Sequence, residues 1–95
     1  MPAPHEALPA LERTLAARAA ERPEGSYTVE LLDDPPRIGA KVREEAEEVA
    51  RAAREESDER LAEEAADVLY HLAVLLGSRG LSLTDAFAVL NDRRR

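Results

Sequence analysis

The sequence predicts an all-α protein, a small antiparallel helical bundle whose core is completed by homodimerisation. Apolar residues recur every three or four positions over several stretches, and no long stretch alternates apolar and polar residues as a strand does. With two tyrosines, one phenylalanine and no tryptophan, the core must consist mainly of Leu, Val, Ile and Ala. Such a chain buries little apolar surface alone, which favours a dimer. We expect a single domain over residues 1–95, with residues 1–5 flexible.

The composition excludes several classes of protein. A net charge of -7 argues against a nucleic-acid binder, which needs a basic face. The absence of cysteine excludes disulfides and thiolate metal sites. No apolar run approaches the roughly 20 residues that span a bilayer, and the N-terminal residues lack the apolar segment of a signal peptide. We therefore expect a cytoplasmic protein without membrane partners.

Three helices are predicted near the two ends of the chain. The first begins at Glu6 or Pro9 and ends near residue 21, because leucines recur there at helical spacing and proline is tolerated in a first turn. A short helix follows over residues 26–32, where Ser26 can cap the first turn. The last helix, over residues 82–92, opens with a serine and an aspartate at the spacing of a capping box.

Two long helices occupy the middle of the chain. They are predicted over residues 36–56 and 59–79, with Ser57-Asp58 as the break and cap between them and Gly80 as the stop. Gly39 lies inside the first of them at a cost of roughly 1 kcal/mol relative to Ala. That cost predicts that a neighbouring group approaches the backbone closely at Gly39.

Acidic side chains border the apolar face of both long helices. The apolar stripe of the first one consists of Ile38, Val42, Ala46, Val49 and Ala53. At 100° per residue, Glu45 and Glu48 lie about 60° and 120° from Val42, on the same edge of that stripe. Glu64 and Asp67 occupy the corresponding edge of the next helix. If the two helices pack antiparallel, these four carboxylates converge.

Two explanations for the four carboxylates remain open. Like charges brought together at a core edge repel, and oxygen ligands on rigid helices suit Mg²⁺ or Mn²⁺. The alternative is a charged helix face in water, without any metal. Lys41 either holds a phosphate group or forms an ion pair with Glu45, four residues on. His71 either packs against its neighbours, hydrogen-bonds Asp67 or takes part in the site.

Four segments of the sequence resemble the phosphoribosyl-ATP pyrophosphatase family, which belongs to the MazG-like all-α nucleotide pyrophosphatases. They are Ser26-Tyr27-Thr28, Lys41-Val42-Arg43-Glu44-Glu45-Ala46-Glu47-Glu48, Glu64-Ala65-Ala66-Asp67-Val68-Leu69-Tyr70-His71-Leu72 and Arg79-Gly80-Leu81-Ser82-Leu83. The acidic residues are typical of the superfamily, whereas the Ser-Tyr-Thr, Tyr-His and Arg-Gly-Leu-Ser-Leu segments indicate this member. The resemblance extends from about residue 8 to residue 93. Arg43 replaces a frequent glycine, and Ala40 replaces a frequent lysine beside Lys41.

The resemblance implies Mg²⁺-dependent hydrolysis of phosphoribosyl-ATP to phosphoribosyl-AMP and pyrophosphate, the second step of histidine biosynthesis. The metal ligands it implies are Glu45, Glu48, Glu64 and Asp67. Catalytic roles are predicted for Glu44, Glu45 and Glu48, and substrate-binding roles for Lys41 and His71. A cyclohydrolase domain, which is sometimes fused to this enzyme, is not expected in a chain of this length.

Two other functions use the same features. A housecleaning pyrophosphatase of the same superfamily, acting on dUTP, dCTP or aberrant nucleotides, would need the same four carboxylates. A non-catalytic helical interaction module would simply expose them to water. Substrate profiling distinguishes a housecleaning pyrophosphatase from a phosphoribosyl-ATP pyrophosphatase. The lack of any Mg²⁺ effect on thermal stability would favour the non-catalytic module.

Overall fold

In the computed structural model, which describes residues 1–94, the chain forms five α-helices and a 3₁₀ turn at Pro4–Glu6 and contains no strand. The helices are α1 (Ala7–Glu21), α2 (Tyr27–Leu32), α3 (Pro35–Glu55), α4 (Asp58–Gly77) and α5 (Leu83–Asp92). The predicted all-α class is confirmed, and each predicted helix is present. Among the described residues, no helix has the length and apolar character needed to cross a membrane.

The predicted caps explain where the helices begin. Ser26 Oγ accepts a hydrogen bond from the Val29 N–H at 3.3 Å, and Ser57 Oγ accepts one from the Arg60 N–H at 3.2 Å. Each such cap satisfies a backbone donor that the helix leaves unpaired and contributes about 1 kcal/mol. After α4, Gly80 adopts a φ of 74°, a left-handed conformation that glycine reaches without strain.

Helices α3 and α4 form an antiparallel hairpin and pack more extensively with each other than with any other element. Ile38, near the start of α3, packs in one cluster with Val74, near the end of α4. Farther along α3, Glu48 meets Glu64 of early α4. The contact partners thus run in opposite directions along the two helices, and the acidic edges face each other as predicted.

The core of the described chain is small and lies where α2, α3 and α4 meet. Its largest fully buried side chains are Leu31, Ile38 and Val74. Partly buried apolar residues surround them: Leu15, Leu32, Val42, Tyr70 and Leu75. Because these three residues come from three different helices, α2 is fixed against the α3–α4 hairpin despite having less than two full turns.

The predicted apolar stripe of α3 is only partly correct. Ile38 is fully buried, but Ala46 and Ala53 are exposed and Ala52 is buried instead. Helix α4 covers only one flank of α3, and no other part of residues 1–94 shields the flank that carries Ala46 and Ala53. The buried face is therefore rotated toward Ala52 at the C-terminal end of α3.

The prediction of a close approach at Gly39 is wrong. A Cβ atom added there would meet only the Arg43 guanidinium, at 3.8 Å, which is an ordinary van der Waals distance.

We therefore expect Gly39→Ala to raise the free energy of unfolding by about 0.5–1 kcal/mol, because alanine restricts the unfolded chain and favours the helix. Urea denaturation measures this change. Gly80→Ala, at a left-handed position, serves as the opposite control and should destabilise the protein.

Candidate metal centre

The hairpin brings three carboxylates together. One oxygen from each of Glu45, Glu48 and Glu64 lies within 4.8 Å of the others. Glu45 and Glu48 are three residues apart on α3 and therefore share one edge of that helix, whereas Glu64 faces them from α4. Only 12% of the Glu45 side chain and 9% of the Glu64 side chain are exposed. Three partly or wholly desolvated acidic groups at this separation repel strongly unless positive charge neutralises them.

The two most buried carboxylates each have one oxygen that other groups contact and one that they do not. Glu64 Oε1 accepts a hydrogen bond from the Arg60 guanidinium, and Glu45 Oε1 lies 3.9 Å from His71 Nδ1. Within residues 1–94, Glu45 Oε2 and Glu64 Oε2 are buried and have no hydrogen-bond partner. A buried carboxylate oxygen without a donor is costly, so both atoms fit a site that takes a cation.

Glu64 is the residue whose protonation the cluster perturbs. Its pKa is raised above the ordinary value of 4.5, first because the protonated carboxyl can donate a hydrogen bond to Glu48 and then because of burial and the Glu48 charge. Arg60 acts in the opposite direction and Asp67 adds to the increase. A raised pKa is expected where negative charges accumulate without a compensating cation, and a divalent ion would reverse it.

The donor set fits Mg²⁺ or Mn²⁺. It consists of carboxylate oxygens held on two rigid helices, and these hard cations prefer oxygen ligands and keep several positions for water or phosphate. A cation bound there would supply the positive charge that polarises a phosphate group and activates a water molecule. Glu45, Glu48 and Glu64 would hold it.

The other predicted site residues lie outside this cluster or at its margin. Asp67 is exposed and its carboxylate does not join the three-oxygen group, although its charge still acts on Glu64. Glu44 is also exposed and pairs with Lys41, whose Nζ lies 3.7 Å from Glu44 Oε2. The alternative of an ion pair between Lys41 and Glu45 is thus wrong, since the partner is one residue earlier. This pairing leaves the oxygens of Glu45 to the cluster.

His71 is buried beside the cluster, and both of its ring nitrogens have partners. Nδ1 lies 3.0 Å from the Asp67 carbonyl oxygen, so of the alternatives for His71 the hydrogen bond to residue 67 is present, to the backbone and not to the carboxylate. Nε2 lies 3.0 Å from the Tyr27 hydroxyl. Tyr70, the neighbour of His71, hydrogen-bonds Thr28 at 2.5 Å. The Tyr-His pair of α4 therefore meets the Tyr-Thr pair of α2.

Two of these contacts were not found from the sequence. Arg60 hydrogen-bonds Glu64 as well as Glu63, and the i, i+4 spacing of Arg60 and Glu64 could have revealed it. The contact between Tyr27 and His71 joins residues 44 apart, which no local pattern indicates.

The family model of phosphoribosyl-ATP pyrophosphohydrolase matches residues 8–94. The chain belongs to this family. The family that the sequence segments indicated is thereby confirmed. In this family member, the acidic residues that form the candidate metal centre and the aromatic residues beside it all lie inside the matched region.

Similar proteins carry names that agree with this family. The "Phosphoribosyl-ATP pyrophosphatase" of Pyrobaculum arsenaticum is 52% identical over 86 residues, which cover 90% of this chain and 92% of that protein. The "Histidine biosynthesis bifunctional protein HisIE" of Xylella fastidiosa strain Temecula1 is 49% identical over 94 residues, covering 98% of this chain. That match covers 46% of the Xylella protein, so the chain spans about half the length of the bifunctional relatives it matches.

Proposed function

We propose that this family member hydrolyses phosphoribosyl-ATP to phosphoribosyl-AMP and pyrophosphate in histidine biosynthesis, using Mg²⁺ bound at the candidate metal centre. The observation that carries the proposal is the cluster of Glu45, Glu48 and Glu64, in which two buried oxygens have no partner within the described chain. The names of the relatives in Pyrobaculum and Xylella support the choice of substrate and pathway.

The remaining predicted residues have roles that follow from their positions. Lys41 extends from α3 one turn before Glu45 and provides a positive charge for a phosphate group of the substrate. Glu44 is exposed to water and can accept a proton from the attacking water molecule. Asp67, as a fourth ligand, and His71, as a substrate contact, stay predictions.

In the proposed reaction, a water oxygen forms a bond to the α-phosphorus, and the bond from the same phosphorus to the oxygen that bridges to the β-phosphate breaks. Pyrophosphate leaves with the negative charge, and the proton of the water passes to a base. Glu45, Glu48 and Glu64 would hold the cation beside the triphosphate, and the cation would supply the positive charge that offsets the charge on the leaving group.

The test is substrate profiling with Mg²⁺ present. Phosphoribosyl-ATP, ATP, dUTP and dCTP are supplied separately, and pyrophosphate release is followed for each. We expect phosphoribosyl-ATP to give the highest kcat/KM. Faster release from dUTP or dCTP would identify a housecleaning pyrophosphatase, and no release from any nucleotide would favour the non-catalytic module. A cytoplasmic location stays a prediction.

We further propose that the protein is a homodimer. Large apolar side chains are exposed in the single chain: Leu69 on α4, Leu81 just before α5, and Phe87, Val89 and Leu90 on α5. Exposed apolar surface of this extent is typical of an interface.

Light scattering should give twice the chain mass, and Leu90→Glu should reduce it to one chain. Asn91→Glu, on the same helix at a polar position, should leave the dimer intact, and a wild-type monomer would contradict the proposal.

A further inference from the structure

Tyr27, at the first position of α2, touches two groups on different helices. Its hydroxyl lies 3.0 Å from Nε2 of His71 on α4. The guanidinium carbon of Arg37 on α3 lies 5.6 Å from the centre of its ring. Tyr27 therefore connects the short helix to both helices of the metal centre, although its own side chain is not an acidic ligand.

The surroundings of His71 determine which ring nitrogen carries the proton. Nδ1 faces the Asp67 carbonyl oxygen at 3.0 Å and Glu45 Oε1 at 3.9 Å, and both of these atoms can only accept a hydrogen bond. A neutral imidazole therefore keeps its proton on Nδ1 and accepts at Nε2. The hydroxyl of Tyr27 is the group that donates to Nε2.

The protonated Nδ1 faces Oε1 of Glu45. At 3.9 Å the pair is beyond hydrogen-bonding distance, but the positive end of the N–H dipole still attracts the carboxylate. If the proton moved to Nε2, the lone pair of Nδ1 would face two acceptor oxygens and repel both. Glu45 would then lose its fixed orientation, and with it the position of its second oxygen.

The aromatic groups around this contact restrict its movement. The rings of Tyr27 and Tyr70 stack with centroids 6.3 Å apart and an interplanar angle of 16°. The His71 ring meets both of them edge-on, at 6.0 Å and 5.1 Å. The hydroxyl of Tyr70 is engaged by Thr28, which leaves the hydroxyl of Tyr27 for His71.

We infer that Tyr27 is a positioning residue of the metal centre: its hydroxyl donates to Nε2 and holds the His71 ring in place, and the Nδ1–H group, whose proton the Asp67 carbonyl retains, orients the Glu45 carboxylate toward the cation. This inference rests on the proposed metal site and adds to it a residue of α2. In this role Tyr27 affects the affinity for the divalent cation and does not contact the nucleotide.

The first test examines the metal-free protein. Selective ¹⁵N labelling of histidine, recorded at pH 8, reports the tautomer from the two ring-nitrogen shifts. The chain has two histidines, and the exposed His5 provides an internal reference for an imidazole without fixed partners. We expect the Nδ1–H tautomer both in the wild type and in Tyr27→Phe, because the Asp67 carbonyl remains, and a changed Nε2 shift in Tyr27→Phe, because Nε2 loses the hydrogen bond from the hydroxyl.

The second test measures the affinity for Mn²⁺ by electron paramagnetic resonance. Tyr27→Phe should weaken binding by about 10-fold, the lower end of the effect of removing an outer partner of a metal ligand. Tyr70→Phe is the matched control, because it removes a hydroxyl from the stacked neighbour without touching Nε2 of His71, and it should leave the affinity unchanged. In a His71→Asn background, Tyr27→Phe should have no further effect.

The outcomes separate this inference from the proposed function. An unchanged Nε2 shift in Tyr27→Phe, or an unchanged Mn²⁺ affinity, would overturn the positioning role while the wild-type affinity still supports the metal site. Equal losses in Tyr27→Phe and Tyr70→Phe would also overturn it, because they would indicate a general packing effect. If the wild type binds no Mn²⁺, the metal site itself is wrong and the positioning role falls with it, whereas the Nε2 shift still tests the hydrogen bond from Tyr27. Thermal melting shows whether each variant is folded.

Discussion

Replacing Glu45 with glutamine is expected to lower kcat/KM for phosphoribosyl-ATP about 1,000-fold. The amide is neutral and donates hydrogen bonds where the carboxylate would bind a cation, so the variant loses roughly 4 kcal/mol of transition-state stabilisation. The fold should be retained, because the substitution removes one of three mutually repelling charges and preserves the side-chain shape. Steady-state kinetics at saturating Mg²⁺ and far-UV circular dichroism measure the two effects.

Glu47→Gln is the matched control for this variant. Glu47 lies on α3 two residues away, is exposed and is absent from the three-oxygen cluster. Its replacement changes the same charge by the same chemistry and should leave kcat/KM close to that of the wild type. Full activity in Glu45→Gln, or an equal loss in Glu47→Gln, would contradict a metal site at the hairpin.

Asp67→Asn tests the fourth predicted ligand separately. If Asp67 binds the cation, its substitution should abolish turnover as Glu45→Gln does. If Asp67 acts only through its charge on Glu64, the loss should be much smaller. Asp67 is exposed, so its substitution carries little risk to the fold.

The second large effect is expected from Mg²⁺, which should raise the thermal stability of the protein. A ligand that binds only the folded state stabilises it by about 2.7 kcal/mol at a concentration of 100 Kd. For a domain of this size, each kcal/mol shifts the Tm by about 4–8 °C, so saturating Mg²⁺ should raise the Tm by roughly 10–20 °C. Differential scanning calorimetry with increasing Mg²⁺ measures the shift, and Ca²⁺-free, Mg²⁺-free buffer with chelator provides the baseline.

The stability of the protein and its increase with Mg²⁺ are both expected to depend on pH. The pKa of Glu64 is raised in the folded protein, so between its ordinary value of 4.5 and the raised value the folded chain binds more protons than the unfolded chain. Stability from this group is therefore fully present below pH 4.5 and is lost as the pH rises through the raised pKa. Mg²⁺ binds the deprotonated carboxylate, so its stabilising effect should grow over the same range.

Glutamine at position 64 isolates this contribution. In Glu64→Gln, the pH-dependent loss of metal-free stability and most of the Mg²⁺ effect should disappear together. Glu63→Gln, at the exposed neighbouring position that also pairs with Arg60, should retain both. A Tm that responds to Mg²⁺ equally in the two variants would show that the cation binds elsewhere.

Most of the fold could be predicted because its signals are local. The serines that cap α2 and α4 and the glycine after α4 act on their own helix ends, and helical spacing indicates the elements between them. The buried stripe of α3 was less predictable, because which alanine is buried depends on how the neighbouring helix crosses it. Ala52 replaces Ala53 for that reason.

The candidate site could likewise be predicted as far as local signals determine it. Angular position along each helix predicted that Glu45, Glu48, Glu64 and Asp67 converge, and the oxygens of the first three meet in the structure. Asp67 already lay farther from the apolar stripe, about 160° from Ala65, and its exposure reflects that angle. The contact between Tyr27 and His71 depends on where α2 packs, which is a property of the whole tertiary structure.

The hairpin that carries the three carboxylates also has a consequence for folding kinetics. Glu48 and Glu64 lie on consecutive helices joined only by Glu56 and Ser57, so closing this contact costs little chain entropy. The contact of Tyr27 with His71 spans 44 residues and closes at a higher cost. The acidic hairpin is thus expected to form before α2 docks. A cation that bridges it would then speed folding as well as slow unfolding.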